Sequence, residues 1–263
     1  GCGEGEYCIL SLSSLYMKYI FANWKMYLDF SESCILANRL LAENLRTDKI
    51  QLGIFPNYLA ITELVKIFSE NGIAVGGQNC SWTPKGAYTS ATSALLLKEA
   101  GCKYVLLGHS ERRYIFGETD DDIRKKIEAA LSVGLIPVVC IGETDEDRQN
   151  GKREYRLKKQ LIKSFDGLAL NGGEIMIAYE PVWAIGSGEP CPPADADDAH
   201  GWIKMELTDF FGDEEIPVLY GGSVTAENVV SYVARDMIDG VLIGGASAKF
   251  ETYMAIINAA RKA

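Results

Sequence analysis

Residues 175–188 read IMIAYEPVWAIGSG, and they contain the unit that decides the fold. The first five residues, 175–179, are apolar and predict a strand, and a polar motif rich in glycine follows directly. Residues 194–211 then predict an amphipathic helix. Because the apolar run does not alternate with polar residues, we expect both faces of its strand to be buried. This is the pattern of a parallel sheet that is covered by helices.

The same unit recurs along the chain from Lys18 onwards. The other predicted strands are 19–22, 52–55, 73–76, 104–107, 137–141, 217–220 and 241–243. The predicted helices between them are 31–45, 57–70, 120–133, 151–165 and 226–234. Polar residues that favour helix starts, Ser31, Thr119 and Thr225, are expected to cap three of these helices.

A chain of eight strand–helix units can form either a closed (β/α)8 barrel or an open doubly wound sheet. No G-x-G-x-x-G turn follows the first strand, which weakens the open-sheet alternative. We therefore predict an α/β protein with one (β/α)8 barrel domain over residues 17–263. Residues 1–16 differ in composition from the rest, and we expect them to be a poorly ordered extension, native or left by cloning.

The composition excludes several classes of partner. Lys and Arg number 26 against 36 for Asp and Glu, a formal net charge of -10. Nucleic acids and anionic membranes need a basic face, so neither is expected as a partner, and no apolar run approaches the roughly 18 residues of a membrane span. Seven scattered cysteines without a C-x-x-C pair predict reduced thiols in a cytoplasmic protein. With His109 and His200 as the two histidines, we expect no zinc site.

Three reactive side chains follow predicted strands, and the carboxyl ends of the strands are where a barrel of this kind carries its chemistry. Lys25 follows the first strand, His109 the fourth and Glu180 the sixth. Taken singly, each has a structural interpretation as a rim lysine, a packed histidine or a carboxylate at a helix end. Together, an ammonium, an imidazole and a carboxylate form a converging acid–base set.

Glycine pairs follow the last two strands, as Gly221-Gly222-Ser223 and as Gly244-Gly245. They leave backbone N–H groups unobstructed, and the next helical turn adds positive dipole character. A glycine pair alone can be a tight turn. Two pairs at adjacent strand ends, beside the Gly-x-Gly segment at 186–188, favour an anion site.

These motifs resemble the triosephosphate isomerase family over residues 17–263. The resemblance rests on six segments in the family's order: NWK at 23–25, GHSERR at 108–113, CIGE at 140–143, AYEPVWAIG at 178–186, YGGS at 220–223 and GGAS at 244–247. It implies a TIM barrel that needs no cofactor and no metal. It also implies interconversion of dihydroxyacetone phosphate and D-glyceraldehyde 3-phosphate through an enediol(ate), a step of glycolysis and gluconeogenesis.

The resemblance also assigns roles to several of the matched residues. Glu180 would be the base that moves a proton between C1 and C2, and His109 the neutral electrophile that polarises the carbonyl. Lys25 would supply positive charge to the phosphate and the enediolate, and Asn23 would orient the same region. The implied phosphate ligands are backbone N–H groups of Gly186, Ser223, Gly244 and Gly245. Supporting residues would be Ser110 and Glu111, with Glu111 steadying Lys25.

A lid over the phosphate is a further implication of the resemblance. Its residues are Pro181, Val182, Trp183, Ala184, Ile185, Gly186, Ser187 and Gly188. A closed lid excludes water and protects the enediolate from losing phosphate. The chain continues as Glu189-Pro190-Cys191, where the family usually has Lys, a variable residue and Ala. Because proline fixes φ and removes a donor, we expect a stiffer trailing hinge and altered lid kinetics with the chemistry retained.

Family members form homodimers through a loop that corresponds to residues 78–93. There the family's GAFTGE becomes GAYTSA at 86–91. Thr89, which in the family contacts the active-site asparagine of the partner, is kept, whereas Ala91 lacks the usual carboxylate. We expect a homodimer that is weakened by the loss of this hydrogen-bond partner.

Two other functions stay open on the sequence. A Schiff-base aldolase could use Lys25 on a similar phosphate-binding barrel, but a nucleophilic amine needs apolar surroundings. An inactive barrel kept as a binding scaffold would be expected to have lost Lys25, His109 or Glu180, and all three are present.

Overall fold

The computed structural model describes residues 17–45, 47–186 and 188–263, which form a closed parallel barrel. Its strands are β1 Lys18–Asn23, β2 Ile50–Phe55, β3 Ala74–Gly77, β4 Tyr104–Leu107, β5 Ile136–Ile141, β6 Met176–Tyr179, β7 Val218–Tyr220 and β8 Gly240–Ile243. Each strand pairs with the next, and β8 pairs with β1 from Tyr19 opposite Gly240 to Ala22 opposite Ile243, which closes the ring. The predicted (β/α)8 barrel is therefore confirmed. The expected extension, residues 1–16, lies outside the described residues.

Helices follow the strands and cover the outside of the barrel. They are α1 Phe30–Ala42, α2 Ile61–Phe68, α3 Ala94–Glu99, α4 Ser110–Tyr114, α5 Asp120–Ser132, α6 Asp145–Gln149, α7 Arg153–Phe165, α8 Pro193–Phe211, α9 Val229–Val233 and α10 Phe250–Ala260. Short 3-10 turns are Tyr58–Ala60, Val182–Ala184 and Gly245–Ala248. Within the described ranges, no helix has the length and apolar character needed to cross a bilayer.

The core has two layers because successive strand residues point to opposite faces. The rings of Phe21, Phe55 and Tyr104 come from β1, β2 and β4, and their centroids lie 4.8–6.4 Å apart inside the barrel. Ile20 and Ala22 alternate with Phe21 along β1 and belong to the second layer, between strands and helices. Burial of both faces explains why the strands read as continuous apolar runs.

The structure contradicts two of the three predicted helix caps. Ser31 is not the cap of α1, because Asp29 accepts the Glu32 N–H at 2.8 Å and the Glu32 carboxylate accepts the Asp29 N–H at 2.9 Å. Thr119 caps α5 through the same reciprocal pair with Asp122, as predicted. Thr225 does not cap a helix, since α9 begins only at Val229.

Candidate active site

The three predicted catalytic groups with the deepest burial meet at the carboxyl ends of their strands. The exposed fractions of Asn23, His109 and Glu180 are 4%, 6% and 2%. Asn23 ends β1, His109 comes after β4 through Gly108, and Glu180 directly follows β6. The barrel topology thus brings together residues that are far apart along the chain.

The imidazole of His109 lies against the carboxylate of Glu180. Its Nε2 is 3.2 Å from Glu180 Oε1, and its Nδ1 accepts the backbone N–H of Glu111 at 3.2 Å. Since Nδ1 is an acceptor, the ring carries its proton on Nε2, the atom that faces the carboxylate. An N–H donor and a carboxylate are therefore in contact at the barrel mouth, and proton transfer next to a carbonyl requires both groups.

The second oxygen of Glu180 is held by the backbone. Oε2 accepts the N–H of Ser110 at 2.9 Å. Two glycines make room for this residue: a Cβ on Gly142 would lie 1.7 Å from the Glu180 carbonyl oxygen, and a Cβ on Gly221 would lie 2.9 Å from Glu180 Cγ. Cys140 is fully buried nearby, and burial followed by the charge of Glu180 raises the pKa of its thiol well above the usual value. Cys140 is therefore an unreactive packed thiol.

Lys25 lies beside this pair and is held in an unusual backbone conformation. Its φ is 49°, in the left-handed region, and its N–H donates to Asn23 Oδ1 at 3.0 Å. Its Nζ is 2.9 Å from Glu111 Oε1, the contact that the resemblance implied. This carboxylate is not the apolar environment that a Schiff-base lysine needs. Gln78 donates from Nε2 to the Lys25 carbonyl at 2.7 Å.

The glycine pair after β8 lies next to the lysine. A Cβ on Gly244 would be 3.2 Å from Lys25 Cε and 3.4 Å from Lys25 Nζ, so the ammonium and the backbone of this loop line the same space. Ser223 points its hydroxyl at the lid, where it donates to the Ala184 carbonyl at 2.6 Å. Gly186, on the lid, is exposed, and a Cβ on it would meet nothing within 4 Å.

The leading part of the lid is anchored to Glu143. Trp183 donates from Nε1 to Glu143 Oε1 at 2.7 Å, and Tyr179 donates its hydroxyl to the same oxygen at 3.1 Å. Burial raises the pKa of Glu143, although these hydrogen bonds oppose the shift. The guanidinium of Arg148 stacks over the Trp183 ring at 3.7 Å. Ser187, the predicted lid residue beyond Gly186, lies outside the described residues.

Sequence reasoning missed two residues that support the site, Gln78 and Glu143. Glu143 follows β5 through Gly142, and Gln78 directly follows β3, so the strand-end rule that selected Glu180 was a usable signal for both. The rule gives the position of Gln78 but not its contact, because its side chain reaches the backbone carbonyl of Lys25 on another loop. In the part of the chain that the structure describes, no group of three His, Cys, Asp or Glu side chains is placed to hold a metal ion.

Comparisons with known proteins agree with this geometry. A family model described as triosephosphate isomerase matches residues 18–260. A triosephosphate isomerase of Dehalococcoides mccartyi strain CBDB1 is 42% identical over 240 residues, which cover 90% of this chain and 94% of that protein. A triosephosphate isomerase of Dictyoglomus thermophilum is 38% identical over 91% of this chain and 98% of that protein. One of Symbiobacterium thermophilum is 39% identical over 93% of this chain and 97% of that protein. With its strand-end carboxylate, imidazole and lysine in place, the chain belongs to the triosephosphate isomerase family.

Proposed function

We propose that Glu180 and His109 carry out the reaction of this family, the interconversion of dihydroxyacetone phosphate and D-glyceraldehyde 3-phosphate. The observation that carries the proposal is the 3.2 Å contact between His109 Nε2 and Glu180 Oε1 at the barrel mouth. This contact supports the proposal, because a base next to a hydrogen-bond donor suits a substrate whose α carbon lies next to its carbonyl oxygen.

Proton transfer follows from the tautomer of His109. Glu180 removes a proton from the carbon next to the carbonyl and returns it to the neighbouring carbon. The Nε2–H of His109 donates to the carbonyl oxygen as negative charge develops on it, and then moves a proton between the two oxygens of the enediolate. A general base contributes about 10²–10⁴ in rate, and loss of one oxyanion donor costs on the order of 10²–10³.

The phosphate end of the substrate is held by charge and by backbone donors. Lys25 Nζ lies beside Gly244, so a phosphate bound on the glycine pair also meets the ammonium. Ser223 and Gly245 complete this surface, and Gly186 reaches it when the lid closes. Asn23 contributes by holding the Lys25 backbone in its left-handed conformation.

The assignment of the base is tested with Glu180→Ala in a coupled isomerisation assay. The variant is expected to lose at least about 10²-fold in kcat, because general base catalysis is removed. Glu154→Gln, an exposed carboxylate in the first turn of α7, serves as the control and is expected to keep the wild-type rate. Equal rates for wild type and Glu180→Ala would rule out Glu180 as the base.

A homodimer is supported by exposed apolar side chains on the loops after β1 to β4. Residues 84–91 of the third loop are all exposed. The third loop is tied to the second by the Tyr58 hydroxyl on the Asn79 carbonyl, and to the fourth by Asn79 Nδ2 on Glu118 at 2.9 Å. Exposed apolar side chains on the four loops are Met26, Tyr27, Leu59, Trp82, Tyr88, Ile115 and Phe116. A second copy of this chain would cover them, since exposed apolar side chains grouped on neighbouring loops mark interfaces.

A cytoplasmic location is supported by the state of the cysteines. Cys34, Cys80, Cys102, Cys140 and Cys191 are free thiols. Free thiols are typical of reducing compartments. Fractionation of the source cells tests this, since isomerase activity is expected with the cytosolic proteins.

A further inference from the structure

The backbone of Cys191, where the lid rejoins the barrel, is held at both of its polar groups by tyrosines. Its N–H donates to the hydroxyl of Tyr220 at 3.1 Å, and its carbonyl accepts from the hydroxyl of Tyr232. The two phenol rings stack at a centroid distance of 4.2 Å with 15° between their planes. All three residues are buried, with exposed fractions of 2% or less. We call this arrangement the Cys191 clamp.

Prolines restrict the chain on both sides of the clamp. Pro190 precedes Cys191, and Pro192 and Pro193 follow it, so φ is fixed at three of four consecutive positions. Pro193 is also the first residue of α8, where proline is preorganised for the helix. The Cys191 N–H is thus the one backbone donor between residues 190 and 193, and the clamp satisfies it.

Two glycines of the lid lie shortly before this segment. Gly186 and Gly188 have φ of 68° and 79°, and both are exposed. Glycine crosses between left-handed and right-handed backbone regions at little cost, whereas proline does not. The trailing end of the lid is fixed by prolines and by the clamp.

Tyr232 differs from Tyr220 in its place in the fold. Tyr220 ends β7 and precedes the loop with Ser223, whereas Tyr232 lies on α9, outside the ring of strands. Tyr232 is therefore a residue of the helical layer whose hydroxyl reaches the lid hinge. The same hydroxyl lies 3.5 Å from the Tyr220 hydroxyl, so it also restricts where the Tyr220 side chain can sit.

We propose that Tyr232 is a positioning residue for the isomerase reaction, because its hydrogen bond to the Cys191 carbonyl holds the trailing end of the lid. The inference rests on the proposed function. With the hydrogen bond to the Cys191 carbonyl removed, more of the chain must be ordered each time the lid closes, and ordering costs conformational entropy. Weaker closure reduces the binding of substrate and transition state alike, which raises KM more than it lowers kcat.

The test compares Tyr232→Phe with Tyr253→Phe. Both tyrosines are buried, and both hydroxyls donate to a backbone carbonyl, but Tyr253 lies on α10 and bonds Ile20 at 3.4 Å. Tyr232→Phe is expected to raise KM for the triose phosphate by about 2- to 10-fold, the range that corresponds to one hydrogen bond, with kcat nearly unchanged. Tyr253→Phe is expected to leave KM unchanged, even where it lowers the melting temperature equally.

A by-product provides a second readout. When the lid fails to cover the enediolate, the carbon–oxygen bond to phosphate breaks, the electron pair leaves with inorganic phosphate, and the enol becomes methylglyoxal. The share of turnovers that release inorganic phosphate is expected to rise in Tyr232→Phe and to stay at the wild-type level in Tyr253→Phe. Unchanged KM and unchanged phosphate release in a folded Tyr232→Phe would overturn the proposal.

Hydrogen exchange of the wild-type backbone tests the clamp even where the variant does not fold. The Cys191 amide is expected to exchange much more slowly than the Gly186 and Gly188 amides, since only Cys191 is bonded and buried. Equal exchange rates at these positions would overturn the proposal. This result is independent of activity, so a wild type without isomerase activity would contradict the proposed function and leave the exchange measurement intact.

Discussion

Gly221 illustrates how a residue without a side chain controls the base. It follows Tyr220 at the end of β7, and its backbone N–H donates to the Tyr179 carbonyl at 2.8 Å, which ties β7 to the start of the Glu180 segment. A Cβ at this position would reach to 2.9 Å of Glu180 Cγ, closer than carbon atoms pack. The absent methyl group therefore leaves the space in which the carboxylate sits against His109.

We predict that Gly221→Ala displaces the Glu180 carboxylate and lowers kcat by about 10- to 100-fold, since small misplacements of catalytic groups have effects of that size. The backbone of Gly221 is not in the left-handed region, so the effect should come from the contact with Glu180 rather than from strain. Steady-state kinetics measures the change in kcat, and a melting curve measures any loss of stability from strain. Gly201→Ala in α8, where a Cβ would meet only Met237 at 3.5 Å, is the control and should keep kcat. A Gly221→Ala enzyme with wild-type kcat would contradict the prediction.

At the scale of elements, the start of α1 shows that two polar residues with similar capping preference, Asp29 and Ser31, have different structural roles. Asp29 accepts the Glu32 N–H and its own N–H donates to the Glu32 carboxylate, whereas Ser31 lies inside the helix. A helix leaves its first N–H groups without partners, and a side-chain oxygen one residue before the helix supplies one.

We predict that Asp29→Ala lowers the free energy of unfolding by about 1 kcal/mol, the usual effect of losing an N-cap. Ser31→Ala, in the first turn of the same helix, should change the stability by much less. Urea denaturation of both variants at one protein concentration makes the comparison. The assignment of Asp29 as the cap would be wrong if the two substitutions had equal effects.

The strands and the reactive residues after them could be predicted because burial on both faces leaves a strong apolar signal. The runs at 104–107 and 241–243 coincide with β4 and β8 to within one residue. Helix ends were harder, since Ser, Thr and Asp all favour caps and only the three-dimensional hydrogen bond decides among them. The contacts of Gln78 and of the Cys191 clamp could not be predicted for the same reason: in each, a side chain from one loop or helix meets the backbone of another segment.

At the scale of the whole molecule, the apolar loop surface predicts self-association. Ile115 is 72% exposed in the single chain, so its replacement by Lys costs the isolated barrel little. In a dimer that covers this surface, the same substitution buries an unpaired ammonium on each subunit, which is strongly unfavourable. Ile35 is 62% exposed and belongs to α1 rather than to one of the four loops.

We predict that the wild type and Ile35→Lys sediment with the mass of two chains at micromolar concentration, and that Ile115→Lys sediments with the mass of one. Sedimentation velocity at several protein concentrations measures this directly. A wild type with the mass of one chain, or an Ile115→Lys variant that remains paired, would contradict a dimer built on this surface.

The closed ring also limits how copies of this chain can associate. Each of the eight described strands has a hydrogen-bonded neighbour on both sides, since β8 returns to β1. An open sheet ends in edge strands, whose free N–H and C=O groups recruit other chains and seed aggregation. This barrel has no such edge among its described strands. The sheet of one molecule therefore cannot be extended by pairing with a strand of the next. Contacts between copies have to be made by side chains.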